Sequence, residues 1–225
     1  MTSTISWRTC KMALLQIDET TRPDHYFLSA DDLCWYGGDY TARGGFGCSP
    51  INNLVSNFKK SVLKRDLPEY YYKERAIASV GLDFAGSFAP VTFAQATFVP
   101  IPPSKAPDHA EYDNRMTLAL TCMANAVRAS HRIDADVREL VIQQGSYAAS
   151  HTNPQHRMQP RDLEPLYAIN EALIGRIPTN ILIVDDVLTT GSHFVAMKSV
   201  LSQRFPGVWI GGLFIARRRL TDEAA

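Results

Sequence analysis

The four cysteines of this chain, Cys10, Cys34, Cys48 and Cys122, never come close enough together to form a Cys-x-x-Cys pair. A zinc ribbon needs paired ligands at short spacing to close a tetrahedron, so a structural zinc site is not expected. Free thiols in a reducing compartment are the simplest reading. Net charge is lacking too: Lys plus Arg and Asp plus Glu both number 23. Without a global field, neither nucleic acid nor an anionic membrane is an expected partner. No stretch approaches the ~20 apolar residues of a membrane span, and the amino terminus lacks the apolar centre of a signal peptide. These absences predict a cytoplasmic protein without membrane contact.

Apolar residues make up 45% of the 225, ample for a sizeable core. Residues 1–90 mix aromatics, glycines and short polar turns. Residues 26–28 and 33–36 read as short strands, with Gly37-Gly38 and the Gly44, Gly45, Gly47 cluster as hairpin turns. Ser49 and Pro50 open a helix as cap and first position, and Ile51, Val55, Phe58 and Val62 form its apolar stripe. Lys59, Lys60, Lys64 and Arg65 point mostly away from that stripe, a solvated basic face by default, with contact to a phosphate-bearing ligand as the alternative. A second helix is predicted over 69–80, anchored by Tyr70, Tyr71 and Tyr72 and stopped by Gly81.

From Val91 onward, strands alternate with amphipathic helices, the pattern of a parallel sheet with crossover helices. Strands are predicted at 93–101, 139–143, 181–184 and 208–216. Met116, Leu120, Met123 and Val127 mark one helix, and further helices are predicted at 163–174 and 194–201. Arg217-Arg218-Arg219 reads as a solvated strand end. The chain divides into an accessory region, 1–90, and a core, 91–225.

Chemistry concentrates after the apolar strand 181–184. Asp185 and Asp186 follow it directly, at the carboxyl end where open parallel sheets bind ligands. Two adjacent carboxylates repel, so something cationic or hydrogen-bonding is expected opposite them. Thr189, Thr190, Gly191, Ser192 and His193 then turn into a helix, so that N–H groups, the helix dipole and hydroxyls converge on one point. Acids beside such an anion nest suit a sugar phosphate, with carboxylates for ribose hydroxyls or a hydrated Mg²⁺.

This segment resembles the 5-phosphoribosyl-1-pyrophosphate (PRPP) motif of type I phosphoribosyltransferases: apolar strand, two acids, two apolar residues, Thr-Thr-Gly. Family members usually end that loop in Thr where this chain has His193. A second segment, Val99-Pro100-Ile101-Pro102-Pro103-Ser104-Lys105, looks like the turn after the first core strand in the ComF-like competence branch. The resemblance covers roughly residues 50–216 and lacks the zinc ribbon of many ComF-like proteins. It implies an α/β fold, a type I phosphoribosyltransferase-like parallel sheet flanked by helices, with an amino-terminal mixed α+β hood that would recognise the acceptor.

By the same resemblance Asp185 and Asp186 are the catalytic pair and hold Mg²⁺ through its water shell. Thr189, Thr190, Gly191, Ser192 and His193 take the 5′-phosphate, and Ser104 and Lys105 face pyrophosphate. Asp113 is expected to cap the next helix, and Arg115 in its first turn to reach the cleft. The polar stretch 144–160 stands where type I enzymes carry a lid, with Ser146, Tyr147, His151, His156 and Arg157 as closing residues. The implied activity is a glycosyltransferase reaction of nucleotide metabolism, ribose 5-phosphate passing to a nitrogen nucleophile with release of pyrophosphate. A PRPP or nucleotide sensor without turnover stays open, as do a partner module in DNA uptake or defence and a homo-oligomer.

Overall fold

The computed structural model describes residues 12–144 and 158–220. Its elements are β1 (Leu15–Gln16), β2 (Cys34–Tyr36), β3 (Asp39–Thr41), α1 (Pro50–Phe58), α2 (Tyr71–Ser87), α3 (Pro90–Gln95) and β4 (Ala96–Pro100). There follow α4 (Arg115–His131), β5 (Asp136–Val137), β6 (Val141–Gln143), α5 (Pro160–Leu163), β7 (Tyr167–Ile169), β8 (Asn180–Leu188), α6 (Ser192–Arg204) and β9 (Trp209–Arg219). The central sheet runs β1-β2-β9-β8-β4-β5, with β3 also beside β9. Its pairings are parallel except β1 with β2. The architecture is α/β, a mostly parallel sheet flanked by helices.

β8 is the central strand because its apolar run can be buried on both faces. Ile181 and Ile183 share a core with Phe194, Met197 and Leu201 of α6. Leu182 and Val184 face the other way, among Phe58 of α1, Val80 and Phe84 of α2, and Leu120 and Met123 of α4. Each such side chain, once fully buried, contributes about 1.5–3 kcal/mol. The stripe Met116, Leu120, Met123 and Val127 is buried as its spacing predicts.

α1 begins as read: the Asn52 N–H donates to Ser49 Oγ at 3.1 Å, with Pro50 in the first turn. Asn52, buried, also accepts from Thr41 N–H at 3.1 Å and donates to Thr41 C=O at 2.9 Å, fixing α1 to β3.

Several local expectations are corrected. Residues 26–28 form no strand; they follow a 3-10 turn at Arg22–His25 that Pro23 opens. Gly37-Gly38 is no hairpin turn, since β2 and β3 run in one continuous register along β9, Tyr36 opposite Phe214 and Asp39 opposite Arg217. Gly81 does not stop α2. It lets α2 pass α4 closely: a Cβ there would lie 2.6 Å from the Ala119 carbonyl oxygen. Tyr71 and Tyr72 are exposed rather than anchors. The first core strand is shorter than 93–101, because Pro90 starts the α3 turn and strand begins only at Ala96. No continuous helix spans 163–174; Pro165 withholds a donor, α5 ends at Leu163, and β7 pairs with β6 in a separate antiparallel ribbon. Arg217 is not solvated: it is buried, paired with Asp24 at 2.8 Å and lying over the Tyr36 ring. Cys34 is buried but Cys48 is exposed. Ser146, Tyr147, His151, His156 and Arg157 lie outside the described residues.

Candidate functional site

β4 stops pairing with β8 at Pro100, opposite Val184, while β9 stays beside β8 to Leu188. The chain then leaves through Ile101, whose N–H still donates to Val184 C=O at 2.9 Å. A crevice therefore opens on the β4 side of β8 at residue 185. Both aspartates lie inside this strand, which continues past the expected 181–184 to Leu188. Successive strand residues point to opposite faces, so the two acids part.

Asp185 turns toward α6. One of its oxygens accepts the Asp186 N–H at 2.7 Å. It lines a narrow cleft with Thr189, Gly191, Ser192 and His193, and the space there is about 10 Å³, room for about one water. Burial, then the charge of Asp186, pushes the Asp185 carboxyl well above the usual carboxylate range.

Asp186 turns toward α1 and α4. Lys59 Nζ stands 3.0 Å from Oδ1 and Arg115 Nη2 2.7 Å from Oδ2. Burial alone would raise this carboxyl, but Lys59 and Arg115 outweigh it and hold it far below its ordinary value. The chain of charges goes on: Arg115 Nη1 donates to Asp113 Oδ2 at 2.7 Å, and Lys73 reaches the same oxygen at 2.7 Å. Lys73 also donates to the carbonyls of Phe58 and Lys60 at 2.9 and 2.8 Å, so all three of its donors are used. Desolvation lowers the pKa of Lys73, against the pull of Asp113.

The loop at 189–193 is tied to the segment before β2. The His25 ring meets the Thr189 carbonyl through Nδ1, and Phe27 N–H donates to Thr190 C=O at 3.1 Å. Thr189 is exposed, but Thr190 and Ser192 are buried and their hydroxyls bond each other at 2.7 Å. The hydroxyls thus do not all converge on one point. Gly191 adopts φ +88°, and a Cβ there would press on Leu28 Cδ2 at 2.9 Å. Gly191 caps α6 without a side chain to offer, so side chains leave the first-turn N–H groups uncapped. His193 Nδ1 meets Tyr167 Oη at 2.7 Å. Burial brings its pKa down to about 4, keeping it neutral at pH 7. A tyrosine hydroxyl donating to Nδ1 leaves the ring proton on Nε2.

The other expected residues are distributed as follows. Arg115 reaches the acid pair through Asp186. Asp113 accepts the Arg115 N–H at 3.2 Å, although the cap position itself is Asn114. Ser104 and Lys105 do not line the cleft beside Asp185. The Ser104 carbonyl accepts from Gln143 at 3.3 Å, and Lys105 lies 3.9 Å from Glu111. Sequence reasoning missed Lys73, His25 and Tyr167, for which no local signal existed; Lys59, weighed there only as a phosphate contact, is found on Asp186. The chain matches no protein-family model and no curated protein.

Proposed function

We propose that this chain is a type I phosphoribosyltransferase of the ComF-like kind without the zinc ribbon. It binds PRPP with Mg²⁺ and transfers ribose 5-phosphate to a nitrogen nucleophile, releasing pyrophosphate. One observation carries the reading: Asp185 and the glycine-started amino terminus of α6 line the same cleft, at the carboxyl edge of the central strand. N–H groups and helix dipole favour a phosphate there, and the carboxylate beside it suits ribose hydroxyls.

The donor set fits a hydrated Mg²⁺ reached through Asp185 alone. Both oxygens of Asp186 already carry cations, at 3.0 and 2.7 Å, whereas Asp185 commits one oxygen to the Asp186 N–H. A hydrated Mg²⁺ held by one carboxylate and substrate oxygens is the ordinary mode for this ion. When bound it supplies charge neutralisation for the departing pyrophosphate. The protein's own part is positioning. The α6 amides hold the 5′-phosphate and Asp185 orients the ribose, with neutral His193 in the same first turn of α6. At C1′ the bond to pyrophosphate oxygen breaks as the bond to nitrogen forms.

Calorimetric titration with Mg²⁺ and PRPP tests this. Wild-type protein is expected to bind, and Asp185→Asn to weaken binding by about tenfold, the scale of one charge-assisted contact. A wild-type chain that takes up no heat from PRPP sinks the reading. A screen of nucleobases for pyrophosphate release follows. The narrow cleft and the buried, mutually bonded Thr190 and Ser192 hydroxyls favour a second reading, a PRPP or nucleotide sensor without turnover. Binding without release in any acceptor would select it.

A further inference from the structure

The face of β8 opposite α6 holds charges that the reading above leaves unused. Three cations, Lys59, Lys73 and Arg115, meet two carboxylates, Asp113 and Asp186. The cluster therefore carries one positive charge in excess on this face, Asp185 lining the cleft on the other side of the strand. Lys73 is 1% exposed and has spent its donors on Asp113 and two carbonyls. The surplus accordingly resides on Lys59 and Arg115, whose side chains are 33% and 24% exposed.

These two cations come from separate elements, one just past the end of α1, the other in the first turn of α4. A cation at a helix's positive end is unfavourable without an anion nearby. Asp113 and Asp186 fix the Arg115 guanidinium from two sides, and the Phe58 ring lies 5.8 Å from its carbon. Among the described residues Lys59 has one side-chain acceptor, Asp186, and its ammonium carries two further donors. The result is a held pair of cations at the carboxyl edge of the sheet, bridged by a buried carboxylate.

We infer that Lys59 and Arg115 form an oxyanion-binding site on the α1–α4 face of β8, separate from the α6 loop and taking a phosphate or carboxylate group. Two sources share that chemistry: the pyrophosphate of a bound substrate, or an acidic group on an acceptor. The inference stands on the charge count and geometry, so it fails or survives separately from the proposed reaction.

The experiment titrates inorganic pyrophosphate and, separately, benzoate into wild-type protein, Lys59→Met and Lys59→Arg, with thermal midpoints confirming that each variant is folded. Lys59→Met is expected to weaken the bound probe by about tenfold, and Lys59→Arg to restore it, because guanidinium keeps the charge. Lys59-dependent binding of pyrophosphate assigns the site to a leaving group; binding of benzoate alone assigns it to a carboxylate on the acceptor. Equal affinity in wild type and Lys59→Met overturns the inference, as does failure of both probes to bind. Ribose 5-phosphate, added in competition, separates the two sites: mutual displacement with pyrophosphate means a single site and also overturns it. If PRPP and ribose 5-phosphate do not bind while pyrophosphate binds through Lys59, the transferase reading falls and this site stands.

Discussion

The two faces of β8 at residues 185 and 186 are one peptide unit apart and chemically unlike. Toward α6 lie a half-buried carboxyl, a neutral imidazole, two mutually bonded hydroxyls and uncapped amides. Toward α1 and α4 lies a buried carboxylate clamped by a lysine and an arginine. Neighbours in sequence thus acquire opposite proton affinities, Asp185 raised and Asp186 lowered, because strand alternation delivers them to different surroundings. Two adjacent acids thus face different partners, though the charge of Asp186 still raises Asp185.

The charged face is expected to be the more fragile. Arg115→Met removes a partner shared by Asp113 and Asp186 and leaves each carboxylate with one cation. Breaking a buried ionic network from one side costs about 3 kcal/mol, to be read from the urea midpoint. A loss below about 1 kcal/mol would show that water already compensates Asp186, and the contrast between faces would shrink.

Stability against pH sharpens the same contrast. Asp186, with a depressed folded value, stabilises the fold above the ordinary carboxylate value of 3.8, and that contribution is lost as pH falls through the folded value. For Asp185 the sign reverses. Its folded value is raised, so stability declines as pH climbs from 3.8 toward it. Urea midpoints measured from pH 3 upward should therefore lose their decline above about pH 4 in Asp185→Asn, and their acid-side drop should flatten in Asp186→Asn. Identical profiles for the two variants would mean that the acids share one environment.

On the loop side, Gly191→Ala forces a side chain into φ +88° and against Leu28 at 2.9 Å. Strained backbone plus a local shift is expected to cost about 2 kcal/mol. The same substitution should move residues 22–28 off the loop, detectable as faster amide exchange at Phe27, which donates to Thr190 C=O.

What the sequence made legible follows from local physics. Ser49 and Pro50 announced a helix because capping involves residues three apart, and the 116–127 stripe announced a buried face because 3.6 periodicity is local too. The run from the acids through Thr-Thr-Gly to a helix was read correctly as a strand–turn–helix. Its interior was not. The apolar run 181–184 set both aspartates side by side at a strand's carboxyl end; the strand continues to Leu188, so alternation sends them to opposite faces. Lys59 finds Asp186 across 127 residues, and His25 finds Thr189 across 164, pairings set by packing that no spacing encodes. The helix at 163–174 failed for a reason that was present in the sequence, Pro165, and was outweighed there by apolar periodicity.

The smallest effect falls on the α6 side. Tyr167, buried on β7, meets His193 Nδ1 at 2.7 Å from the separate two-stranded ribbon, so this bond joins that ribbon to the start of α6. Tyr167→Phe keeps the ring and its packing and removes only the hydroxyl. Loss of one hydrogen bond of this kind costs about 1 kcal/mol. The imidazole then loses one of the contacts that orient it, while burial, the main cause of its low pKa near 4, is unchanged. The chemical shift of His193 followed against pH should accordingly titrate near its wild-type value, with broader lines in the variant. Titration moving up toward 6.5, the ordinary value, would mean that Tyr167 and not burial keeps the ring neutral.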